Sequence, residues 1–82
     1  MNKFDGMTIE QGLRSKPIIK TQDLVELLGR TARTFYRWQN HELYENPMPR
    51  PFSESRGAGN IYDAGEILNW YQSLPLRKRE KR

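Results

Sequence analysis

The chain has 82 residues, 35% of them hydrophobic and 29% charged, with a net charge of +4 and no cysteine. That length allows one domain with a modest core. It excludes disulfides and thiolate metal sites, holds no apolar run near the roughly 20 residues of a membrane span, and gives its single histidine, His41, no partners for a zinc site.

Residues 1–17 show no sustained period and are punctuated by Gly6, Gly12 and Pro17. They predict a flexible, loosely packed N-terminal arm. Asp5, Glu10 and Gln11 interrupt it, so a signal peptide is not expected. Ile18 and Ile19 fit either a short strand or a hydrophobic staple ahead of the first helix. That helix is predicted over 22–28, with Thr21 as its N-cap and Leu24, Leu27 and Leu28 as its apolar stripe. Gly29 suits the left-handed residue that ends a helix. A second helix follows over 32–41 with Thr31 as N-cap. Two helices joined by a turn of about three residues form a helix-turn-helix arrangement.

The second helix has two unlike faces. At ~100° per residue, Ala32, Phe35, Trp38 and Gln39 share the side expected to be core. Arg33, Arg37, Asn40 and His41 share the other, with Thr34 flanking them and Tyr36 at the border. From Arg30 to His41 there are three arginines and no acid. The whole segment 21–74 nevertheless carries five arginines against seven acids. A local basic stretch in an acidic setting points to a polyanion-facing surface; a solvated helix face is the competing reading.

Residues 42–49 form a linker with Pro47 and Pro49. Two short strands are predicted over 50–53 and 60–62, joined by a loop with Gly57 and Gly59. Pro51 implies an edge position. Asp63 and Glu66 have the spacing of a capping box for a third helix, in which Ile67, Leu68, Trp70, Tyr71 and Leu74 recur at helical spacing and Pro75 acts as the stop. Residues 75–82 form a tail with five basic residues and one acid, expected to be disordered in isolation. Fold class and boundaries follow: mainly α with a small β-hairpin, three helices plus a two-stranded wing, as an arm over 1–17, a winged helix-turn-helix domain over 18–74 and a basic tail over 75–82.

The segment Leu27, Leu28, Gly29, Thr31, Thr34, Phe35, Tyr36, Arg37, Trp38 resembles the core pattern of AlpA-like prophage regulators and related excisionases, members of the MerR-like winged-helix group. Pro49, Arg50, Pro51 and Phe52 resemble that family's wing entry. Tyr62 stands at the wing exit, and Asp63 opens the helix that carries Trp70. The likeness spans roughly residues 18–74. Two features depart from it: a longer stretch between Trp38 and Pro49 carrying Glu42 and Glu45, and a Gly-Ala-Gly wing tip. The resemblance implies double-stranded DNA binding by the second helix, in a cytoplasmic, nucleoid-associated regulator of a phage or mobile element, either a transcriptional regulator or an excisionase-type recombination factor.

The chemistry of the residues points the same way. Arg33 and Arg37, one helical turn apart, suit guanine edges in a major groove, and Asn40 suits adenine. Arg30, Thr31 and Thr34 lie where a helix start favours phosphate, with Tyr36 beside them. Ser53, Ser55 and Arg56 suit backbone or minor-groove contacts from the wing. One such module covers only ~600–1,000 Å² of DNA, so a homodimer or cooperative binding to repeated sites is expected, with a recombinase or RNA polymerase as protein partner. No cofactor or metal is expected. The alternative is a protein-interaction or DNA-packaging module resembling a terminase small subunit. An enzyme is not expected, because the chain holds no nucleophile–base set, phosphate loop or metal-ligand cluster.

Overall fold

The computed structural model describes residues 4, 6–54 and 59–79. The chain's first element begins at Thr8. Its Oγ1 accepts the Gln11 N–H at 3.1 Å, and Gln11 Oε1 accepts the Thr8 N–H at 2.9 Å. This reciprocal cap starts α1 (Ile9–Arg14). The loose arm expected from the sequence is therefore corrected over these residues. Leu13 is buried in the core, and Gln72 Nε2 donates to Glu10 Oε2 at 3.3 Å across to the last helix. A helix of six residues is too short to display a period, which is why pattern reading misses it. Gly12 permits the close approach: a Cβ there would meet Leu27 Cδ1 at 2.7 Å and Phe4 Cδ1 at 3.2 Å.

Ile18–Lys20 form strand β1, which pairs antiparallel with β2 (Ile61–Asp63), Ile19 opposite Tyr62. Both central side chains are buried, while Ile18 and Lys20 face outward. Helix α2 (Thr21–Leu28) starts directly from β1. Lys20, not Thr21, is its N-cap residue, and no side chain caps it. Thr21 is drawn to the sheet instead, its N–H and Oγ1 both donating to the Asn60 carbonyl, at 3.0 and 3.3 Å. Continuing the ladder by one residue outcompetes a local cap.

Helix α3 (Ala32–Trp38) ends three residues before the predicted His41, with Gln39 as C-cap. Asn40 turns the chain: its carbonyl accepts from Leu43 and Tyr44, and its Oδ1 accepts the Glu42 N–H at 2.9 Å, as asparagine does in turns. Helix α4 (Ala64–Gln72) opens on Asp63, whose Oδ1 accepts the Glu66 N–H at 3.1 Å. It closes at Ser73, two residues ahead of Pro75.

The predicted hairpin is only partly formed among the described residues. The two-stranded sheet joins β1 to β2, and residues 50–53 add one bridge, Ser53 to Ile61. Phe52 and Ser53 N–H both reach the Ile61 carbonyl, at 3.0 and 3.4 Å. Pro49 and Pro51 have no N–H to extend the ladder. The tail expectation is also corrected, for residues 77–79. They run antiparallel to 43–45, with Tyr44 opposite Lys78.

The result is mainly helical: four helices and a two-stranded antiparallel sheet among the described residues. Phe4, Leu13, Ile19, Leu24, Phe35, Met48, Tyr62, Ala64, Ile67 and Trp70 form one core to which every helix contributes. No described helix is long and apolar enough to cross a membrane.

Candidate nucleic-acid interface

The α2–α3 unit is set by its turn. Gly29 adopts φ 68°, and its N–H donates to the Val25 carbonyl at 3.0 Å, ending α2. This left-handed conformation strains any residue with a Cβ. Thr31 then caps α3, its Oγ1 accepting the Thr34 N–H at 3.4 Å, with the two threonine hydroxyls 3.2 Å apart. Arg30 lies exposed between the helices.

The inner face of α3 fixes its rotation. Phe35 is fully buried. Its ring lies 6.1 Å from Trp38, which lies 5.8 Å from Trp70. Trp70 Nε1 donates to the Asn46 carbonyl at 2.9 Å, and the Met48 N–H to the Trp38 carbonyl at 2.9 Å. Gln39, buried, donates from Nε2 to the Tyr62 hydroxyl at 2.9 Å, tying the helix end to β2. Burial pushes the Tyr62 phenol above its ordinary 10.0, with the Gln39 hydrogen bond opposing. With these anchors in place, Arg33, Tyr36 and Arg37 can only point outward; Tyr36 is 56% exposed.

The outward face is basic, and its arginines form no ion pair among the described residues. Among the described residues the ion pairs are Lys16–Asp23 at 3.5 Å and Arg14–Glu10 at 4.0 Å, both away from α3. Arg30, Arg33 and Arg37 have no carboxylate partner there. Thr31, Arg33, Thr34 and Arg37 line one shallow depression of about 200 Å³. A second, of about 330 Å³, continues across Gly29, Arg30 and Thr31 to Val25. The turn and α3 thus present a continuous surface joining five of the predicted site residues.

The other predicted residues fall differently. Asn40 lies beyond the helix, and its Oδ1 is occupied by the Glu42 N–H, which leaves the amide nitrogen for a ligand. Ser53 sits in the bridge to Ile61. Ser55 and Arg56 lie outside the described residues. Sequence reasoning passed over Arg50. The structure places it in the lining of a groove of about 460 Å³, together with Tyr36, Asn40, His41, Glu42, Pro51 and Glu54. The signal was the Pro49-Arg50-Pro51 run, whose prolines hold a cation on a stiff edge.

Comparison with protein-family models, curated proteins and solved structures finds no match for this chain.

Proposed function

We propose that this protein binds double-stranded DNA sequence-specifically, with α3 in the major groove and the arrangement of a winged helix-turn-helix. One observation carries the reading. Arg33 and Arg37 project from the exposed face of a helix whose rotation the core fixes, and they have no carboxylate partner among the described residues. Residues four apart lie about 5–6 Å from one another on a helix surface, so both guanidinium groups enter one groove. Each bidentate arginine–guanine contact contributes about 1–3 kcal/mol of discrimination. Arg30, with the Thr31 and Thr34 hydroxyls, lies where the helix start meets phosphate. Arg50 stands where a wing would meet the backbone. A regulator or recombination factor of a mobile element, working in the nucleoid as a dimer or a cooperative array, is the biological form of this reading.

In vitro selection from a random duplex pool at physiological salt tests it, with wild type and Arg33→Ala/Arg37→Ala compared side by side. The wild type should enrich a motif that the variant does not, and the spacing of repeated motifs reports how copies assemble. Equal enrichment by both proteins, or none by either, rejects α3 as the reading element. In that case a protein-interaction or packaging role takes its place.

A further inference from the structure

Beyond α3 the chain meets its own basic tail. The Glu45 N–H donates to the Arg77 carbonyl at 2.7 Å, and the Arg79 N–H to the Leu43 carbonyl at 2.9 Å. Asn46 fastens the approach: its Oδ1 accepts the Arg77 N–H at 2.8 Å, and its Nδ2 donates to the Ser73 and Pro75 carbonyls at 3.3 and 3.2 Å. Arg79 Nε then donates to the His41 carbonyl at 2.6 Å. These bonds hold a tail of high charge at one place, just past the C-terminal end of α3.

Its cations remain available. Arg77, Lys78 and Arg79 are all exposed, and none has a carboxylate partner among the described residues. Glu42 and Glu45, the acids of the adjoining segment, are exposed and unpaired with them. Arg77 and Arg79 project to one side of this extended segment and Lys78 to the other, and like charges held this close repel one another and favour a polyanion. Their placement suits one polyanion in particular. From Arg33 to Trp38, the last residue of α3, a helical rise of 1.5 Å per residue spans about 7.5 Å, within the ~12 Å width of the major groove. A helix lying in that groove leaves the turn that follows it beside the sugar–phosphate wall, and Arg79 is hydrogen-bonded in that turn, at the His41 carbonyl.

We infer that the docked segment Arg77–Arg79 is a second DNA contact, gripping phosphates beside the end of α3; this rests on the DNA-binding reading of α3 and extends its footprint. The contact carries no base information. It adds affinity equally on all sequences and registers the helix along the duplex.

The test measures the Kd of the full chain for a fixed random-sequence duplex of about two helical turns across a salt series. Wild type, Arg33→Ala/Arg37→Ala, Arg77→Gln/Arg79→Gln and Asn46→Ala are compared. Each phosphate contact contributes about −0.9 to the slope of log K against log salt, so the tail variant should flatten the slope by about 1.8. Asn46→Ala keeps every charge but frees the tail, so it should weaken binding several-fold. Circular dichroism checks that it folds.

A tail variant with the wild-type slope overturns the inference, whatever the α3 variant does. A flattened slope in the tail variant supports the tail contact whatever the α3 variant does on this duplex, and the α3 reading fails separately if Arg33→Ala/Arg37→Ala still enriches the wild-type motif in the duplex selection. A folded Asn46→Ala protein that binds as wild type overturns the docking and reduces the tail to mobile charge. If Asn46→Ala fails to fold, the tail variant alone decides.

Discussion

Replacing Tyr62 by phenylalanine removes one oxygen atom from the junction between β2 and α3. The side chain is 1% exposed, and Gln39 Nε2, in a residue itself 8% exposed, donates to its hydroxyl from 2.9 Å away. After the change that amide N–H is buried with no acceptor, a cost of about 1–3 kcal/mol. A chain of this length has a total stability of roughly 4–12 kcal/mol, so the loss is large. The melting temperature should fall by about 4–8 °C for each kcal/mol. Urea unfolding at neutral pH measures the loss directly. Changing Gln39→Leu in the Tyr62→Phe background removes the orphaned amide and should restore most of it, because deleting both partners of a buried bond is close to neutral. The pH dependence gives a second reading. Burial raises the Tyr62 phenol above 10.0, whereas in the unfolded chain it ionises near its ordinary value. The folded state then holds the proton more tightly. Its contribution is fully present below about pH 10 and is lost as pH rises through the raised value. Wild type should therefore lose stability more steeply than Tyr62→Phe above that pH. A Tyr62→Phe protein as stable as wild type at neutral pH, or a double variant no better than the sum of the two single changes, refutes the coupling of β2 to α3 through this bond.

Leu13→Ala tests whether α1 belongs to the core: Leu13 is 1% exposed, so the change should cost about 2–5 kcal/mol in urea unfolding, whereas a mobile arm would lose nothing. Gly29→Ala places a Cβ at φ 68° and should destabilise by about 1 kcal/mol, with no clash to relieve because nothing lies within 4 Å of that Cβ. Asp63→Ala removes the cap of α4 and should cost about 1 kcal/mol. Arg33→Ala/Arg37→Ala should leave the melting temperature within the small range of exposed substitutions, about ±0.5 kcal/mol per site, while lowering discrimination among DNA sequences by roughly 5- to 150-fold per arginine. Unfolding of that variant by circular dichroism would show that these side chains are structural.

The sequence by itself determines what depends on neighbours within a turn or two. Phe35, Trp38 and Gln39 repeat at helical spacing, so the buried face of α3 and the outward Arg33 and Arg37 are legible before any coordinates. Gly29 and the Asp63–Glu66 spacing are legible for the same reason, since their partners lie three or four residues away. The cap of α1 was equally local, in Thr8 and Gln11, but a helix with one fully buried leucine shows no stripe to announce it. Tertiary structure alone decides the pairings between distant backbone groups. Ile19 opposite Tyr62, Thr21 bonded to Asn60, and Leu43–Glu45 against Arg77–Arg79 join segments more than 30 residues apart. Backbone N–H and C=O groups are the same in every residue except proline, so the side-chain pattern does not name their partners. Asn46 shows the same limit in a side chain. In the sequence it is one residue of the 42–49 linker, yet it anchors the tail and, through its carbonyl, Trp70. Where the basic tail lies relative to α3 was decided there, by hydrogen bonds across 31 residues, and not by charge.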